Sequence, residues 1–164
     1  MTDGPVLVVD DARKVDRLVR GLRAAGIEAS TSVGEESPVA VVLGFDTGHG
    51  AGTWPDLPVV AVADAPDPEV RLQAAVDGAL ACVGRSEGAG AVAAVLVRVL
   101  DPQAPALDEQ RRRARIAALE ALGGDESPPP ALRVRLTRLE QGPVRAVPPR
   151  SEEHTSELQS RGLI

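Results

Sequence analysis

The feature that most constrains this chain is residues 5–11, PVLVVDD, where an apolar run ends on two acids. Val6, Leu7, Val8 and Val9 show no polar alternation. The run therefore reads as a strand covered on both faces, as at the centre of a parallel sheet. A helical pattern starts directly behind it. Val15, Leu18, Val19, Leu22 and Ala25 recur at helical spacing, Arg13, Lys14, Arg17, Arg20 and Arg23 cover the other face, and Gly26 ends the helix. In parallel sheets ligands gather outside the carboxyl ends of the strands, which aims Asp10 and Asp11 at a site edge. Two readings of the pair stand side by side. Adjacent carboxylates repel and favour a shared hard cation such as Mg²⁺, held weakly by so few ligands. Alternatively, one of them caps the helix that follows.

The same alternation continues along the chain. A short second strand is expected at 26–31, a polar turn at 33–38 and a buried strand at 39–45. A glycine-rich loop follows at 46–57, then a strand at 58–64. A helix runs from Pro68 to about Asp77 with Val70, Leu72, Ala75 and Val76 inward. The last strand is at 79–83 and an apolar helix at 88–100, closed by Asp101 and Pro102. Strands alternating with helices predict an α/β fold with a parallel, doubly wound, five-stranded sheet. One connection is short for that plan. About seven residues join the second and third strands, where a parallel crossover usually takes a dozen or more. Either they cross the sheet extended, or one strand is irregular.

Residues 1–102 form the expected domain. Residues 103–131 read as a linker carrying a charged helix at about 107–122, with Ile116, Leu119 and Leu122 as a narrow apolar face, before a proline-rich joint. The basic run Arg111, Arg112, Arg113 and Arg115 reads as a solvated helix face, with a nucleic-acid contact as the competing reading.

Charge and composition narrow the function. Of a net charge of −6, residues 1–100 carry 8 basic and 14 acidic groups, so this part does not bind DNA by counterion release. Phe45 and Trp54 are the whole aromatic complement, too few for the stacking platforms of single-strand binders. The single cysteine, Cys82, excludes an internal disulfide and a cysteine-based zinc site, and it lies in an apolar run where it reads as a small buried hydrophobe. No signal peptide and no apolar run of about eighteen residues is found, which places the expected protein in the cytoplasm, away from membranes.

The order of elements, opening with VLVVDD at 6–11, resembles the CheY-like receiver domain of bacterial response regulators over residues 5–100. The resemblance implies a flavodoxin-like sheet, from which this chain departs in having the second and third helices cut back to loops. It implies Mg²⁺ at the acidic pair and a phosphoaccepting aspartate ending the third strand. A Thr or Ser would end the fourth, and a Lys, usually followed by Pro, the fifth. Laid on that pattern, Gly44 stands at the phosphoacceptor, Ala63 at the hydroxyl, Arg85 at the lysine and Ser86 at the proline. Gly44 supplies no nucleophile and Ala63 no hydroxyl to sense a phosphate. Arg85 keeps a positive charge but as a planar fork, not a point charge. The expectation is a pseudo-receiver: a non-enzymatic signalling or dimerisation module in two-component signal transduction. It would contact a protein partner or a second copy of itself, with no cofactor beyond weak Mg²⁺ at Asp10 and Asp11. Asp46, two residues past Gly44, is the alternative phosphoacceptor if the strand end is bulged.

Two further resemblances concern the end of the chain. Leu136, Thr137 and Glu140 have the spacing that opens LuxR-type helix-turn-helix output domains, with Thr137 and Glu140 forming a capping box. This implies that residues 132–149 begin a truncated transcriptional output domain, and that any DNA contact belongs to a missing C-terminal part. Residues 150–160, RSEEHTSELQS, resemble a translated sequencing adapter. The segment 150–164 is therefore set apart as an artefact, and the tail is expected to be disordered.

The rival reading is a small nucleotide-binding α/β enzyme domain. Gly88, Gly90 and Ala93 have the G-x-G-x-x-A spacing after a strand and at a helix start, which also suits a helix start of small residues. The loop Asp46-Thr-Gly-His49-Gly-Ala-Gly52 could cradle an anion, but one His and one Asp are too few for a metal site.

Overall fold

The computed structural model describes residues 4–123. The expected output-domain start at 132–149, the capping box of Thr137 and Glu140, and the segment 150–164 lie outside the described residues.

Five parallel strands form one sheet, β1 (Val6–Val9), β2 (Ala29–Ser30), β3 (Ala40–Gly44), β4 (Val59–Ala63) and β5 (Ala81–Gly84), in the order β2-β1-β3-β4-β5. This is the flavodoxin-like order, with its switch point between β1 and β3. The described helices are α1 (Ala12–Ala24), α2 (Pro68–Val76), α3 (Gly88–Val99) and α4 (Leu107–Ala121). The central strands are covered on both faces, as their unbroken apolar runs require: every residue of β3 and β4 is buried.

On one face α1 and α3 lie together over Val6, Val8, Val42, Val60, Val62 and Val83. Leu22 and Leu96 are fully buried between the helices and the sheet, each worth about 1.5–3 kcal/mol relative to exposure. The helices touch closely because Gly21 has no side chain, and a Cβ there would overlap that of Ala89. Asp67 caps α2, its Oδ1 accepting the Val70 N–H (2.8 Å), and Pro68 occupies the first turn.

The short second connection carries no helix or strand of its own and bends at residues 31–32 and 35–36. β2 is an edge strand of two residues, and residues 31–39 pass β1 to reach β3. Two strand spacings are about 10 Å and nine extended residues reach roughly 30 Å. With so short a β2 to return along, no helix is needed.

The other face is covered less regularly. Between β3 and β4 the chain makes two single 3₁₀ turns, Phe45–Thr47 and Ala51–Thr53. Phe45, Trp54 and Leu57 from this segment pack with Val70 and Ala74 over Leu7, Val41, Leu43, Val59 and Ala61.

The charged helix departs from the expected linker. α4 packs on α2, with Ala118, Leu119 and Leu122 against Leu72 and Val76, so the packed body runs past Pro102. Ile116, expected on the apolar face, is 46% exposed, and Ala118 takes the inward place. Arg111, expected in solvent, turns inward and donates to the backbone carbonyls of Leu57 (3.2 Å), Trp54 (3.4 Å) and Gly78 (3.4 Å). The reason is local. α2 carries apolar residues on two sides, one for the sheet and one that α4 covers.

Candidate functional site

Parallel strands bring their carboxyl ends to one edge, and the register decides which residues meet there. Val9 lies beside Leu43, Gly44 beside Val62, and Ala63 beside Gly84. One step further along each strand stand Asp10, Asp64 and Arg85, at the same edge as Gly44. Asp10, Gly44, Ala63 and Arg85, separated by up to 75 residues in sequence, are thus brought together at one edge of the sheet.

Arg85 is the centre of the cluster. Its guanidinium grips the Asp10 carboxylate with two hydrogen bonds, Nη1 to Oδ2 and Nη2 to Oδ1 (2.8 Å). Its Nε lies 2.6 Å from Asp64 Oδ1, off the N–H direction, so this contact is an ion pair without a hydrogen bond. Asp64 in turn accepts from Lys14 Nζ at 3.1 Å. Two acids and two bases cancel. The Asp10 side chain is 2% exposed and that of Arg85 19%, while Asp64 is open at 61%. The hydrogen bonds to Asp10 raise the Arg85 pKa further and keep the guanidinium charged. The hydrogen bond from Lys14 holds Asp64 below the usual carboxylate value. The turn that presents Arg85 is itself braced. Glu87 Oε1 accepts the Gly84 N–H (2.8 Å) and stands 3.6 Å from Arg71 Nη2.

Gly44 makes the grip possible. A Cβ at position 44 would collide with Asp10 Oδ1 and stand 2.7 Å from its Cγ. The Asp10 carboxylate therefore fills the space that a side chain on residue 44 would need. Ala63 is buried at the end of β4 and offers no oxygen beyond its backbone. Asp46 sits in the first 3₁₀ turn, exposed, and makes no side-chain hydrogen bond or ion pair with any described residue.

The two readings of the acidic pair separate here. Asp11 caps α1, its Oδ1 accepting the Arg13 N–H at 2.9 Å. Asp10 binds Arg85 with both oxygens, and its Oδ1 also accepts the Asp11 N–H (2.8 Å). As arranged, the pair does not fit Mg²⁺: one carboxylate is taken by a guanidinium, the other by a helix end. Among the described residues no group of three or more His, Cys, Asp or Glu is placed to hold a metal.

The remaining candidates fall into place separately. His49 lies in the β3–β4 segment with Nδ1 3.2 Å from Thr47 O and its ring centroid 6.4 Å from that of Trp54, not beside Asp46 on a common ligand. Cys82 is buried in β5, and burial pushes its thiol pKa up, away from nucleophilic use. Gly88, Gly90 and Ala93 open α3 behind the edge strand β5. Among the described residues no helix is long and apolar enough to cross a membrane.

Asp64 was missed by the sequence reading, which took it as the last residue of a strand. The signal was present: an acid directly after a buried apolar run, the same feature that singled out Asp10. Comparison with family models, with curated proteins and with solved structures gives no match for this chain.

Proposed function

We propose that this chain is a receiver-like interaction module whose state is not set by phosphoryl transfer. The observation that carries the reading is the Asp10–Arg85 pair lying over Gly44. In a phosphorylatable arrangement that position must hold a carboxylate nucleophile and leave room for a phosphoryl group and its cation. Here the space belongs to Asp10, and the charge that a phosphate would meet is already neutralised from within. Mg²⁺ would have to displace a bidentate guanidinium from Asp10, so its binding at Asp10 and Asp11 is weak.

A module of this kind acts through its surface, on a protein partner or a second copy, in the cytoplasm. In this reading any contact with DNA belongs to an output domain beginning beyond the described residues.

Intact mass after incubation with acetyl phosphate and Mg²⁺ tests the proposal. The mass should be unchanged. A gain of one phosphoryl group that disappears in Asp46→Asn would overturn it in favour of a displaced phosphoacceptor. Turnover of a nucleotide by the purified chain would instead favour the enzyme reading.

A further inference from the structure

A groove of about 540 Å³ lies between α1 and α3, where they meet the ends of β4 and β5. Small-molecule sites generally span about 300–1,000 Å³, so this one has room for a compact organic ligand. Leu18, Val62 and Val92, all buried, contribute its apolar surface. Its rim is basic, and among the described residues no acid lines it.

The cations divide into two sets. Lys14 and Arg85 are spent on Asp64 and Asp10. Arg13, Arg17 and Arg20 are exposed, and their side chains make no hydrogen bond or ion pair with any described residue. They stand four and three residues apart, on one face of α1, in a chain whose net charge is −6. A basic stripe alone would be a solvated helix face. This one borders an apolar cavity. On the opposite side Gly88 and Ala89 of α3 line the groove, and no side chain caps that helix. The Gly88 N–H is itself held by the Arg85 carbonyl, so the positive charge that faces the groove comes from the arginines of α1.

We infer that the groove binds a small amphipathic anion, with an apolar body on Leu18, Val62 and Val92 and a phosphate head group among Arg13, Arg17 and Arg20. Guanidinium forks match phosphate oxygens two at a time, which favours phosphate as the head group. Aliphatic side chains, not aromatic stacking, hold the body. The inference is independent of whether Gly44 replaces a phosphoacceptor, since it concerns the α1–α3 face and not the Asp10 position.

Amide NMR of the full chain at low salt, titrated with phenyl phosphate and separately with inorganic phosphate, tests it. Phenyl phosphate should saturate and shift the amides of Leu18, Ala89 and Val92, binding at least ~10-fold more tightly than inorganic phosphate, given the apolar area it covers. Arg13→Glu with Arg17→Glu should weaken it by ~10-fold or more, and added salt should do the same in part. Ala24, exposed and lining the groove, allows a control: Ala24→Trp should block phenyl phosphate while leaving every charge in place. Should either variant fold poorly, Arg17→Gln on the solvent face carries the same test with a smaller loss. Equal binding of both phosphates, or binding indifferent to Ala24→Trp, would overturn the inference. So would binding of a hexaglutamate peptide with none of phenyl phosphate.

Discussion

Two arginines withdraw from water in this molecule, and they do so by different chemistry. Arg85, at the carboxyl edge of the sheet, is 19% exposed, hydrogen-bonded to the carboxylate of Asp10 and ion-paired with that of Asp64. Arg111, at the seam between α2 and α4, is 15% exposed and satisfied mostly by backbone carbonyls, with Asp108 Oδ1 at 3.7 Å and almost wholly in solvent. At the edge, charge meets charge, and removing one partner strands the other in a dry place. At the seam, charge meets dipoles that water can partly serve instead. The edge is therefore an all-or-none electrostatic lock, and the seam a pin that holds an outer helix to a loop.

The sharpest way to break this comparison is Arg85→Met. It leaves Asp10 buried and unpaired and should cost about 3 kcal/mol in denaturant unfolding. The double change Arg85→Met with Asp10→Leu should recover most of that, because no lone charge remains. A single-variant loss below about 1 kcal/mol, the range of exposed ion pairs, would make the edge an ordinary surface contact.

Next in size is the loss of α4. A chain ending at Pro102 uncovers Leu72, now fully buried, and Val76. Its melt should remain cooperative but lose about 2 kcal/mol, on the scale of exposing one large aliphatic side chain. A domain confined to residues 1–102, with 103–131 as a mere linker, would show almost no loss. A melt indistinguishable from that of the full chain would restore that view and leave α4 a bystander.

Arg111→Met sharpens the same seam. The stem keeps its packing while three long hydrogen bonds of 3.2–3.4 Å disappear. The expected loss is about 1 kcal/mol, clearly below that of Arg85→Met. If the two losses are equal, carbonyl dipoles serve as well as carboxylates and the contrast between the regions fails.

The smallest effect is a pH dependence at the edge. Because Lys14 holds Asp64 below its ordinary value of 3.8, the folded chain takes up this proton less readily than the unfolded one. The contribution is complete above about pH 4 and fades as pH falls through the lowered native value. Asp64 is exposed, so salt screens it and the effect is slight. Plotted against pH, the Tm of native protein should exceed that of Asp64→Asn above pH 4, and the two curves should meet below it. Curves that stay parallel throughout would remove Asp64 from the lock.

Much of this was legible in the chain itself. Val6–Val9 followed by an amphipathic helix, the two central valine-rich strands and the apolar helix α3 announce a parallel α/β sheet, because periodicity and unbroken apolar runs are local properties that burial reads directly. The placing of Asp10, Gly44, Ala63 and Arg85 at one edge follows from the same plan, since parallel strands deliver their ends together. Tertiary structure alone decided what those residues do. That Arg85 would seize Asp10 depends on a register spanning 75 residues and on the empty space above Gly44. That Asp64 joins them depends on Lys14 reaching across from α1. Arg111 looked like one member of a solvated basic run, and nothing in its neighbours distinguishes it. Its fate is set by carbonyls of residues 54, 57 and 78, which come within reach only once α4 lies on α2. Side-chain spacing along a helix or strand is written in the sequence, whereas the choice between water, carboxylate and carbonyl for a charged group is made by whatever the folded chain has brought within about 3 Å of it.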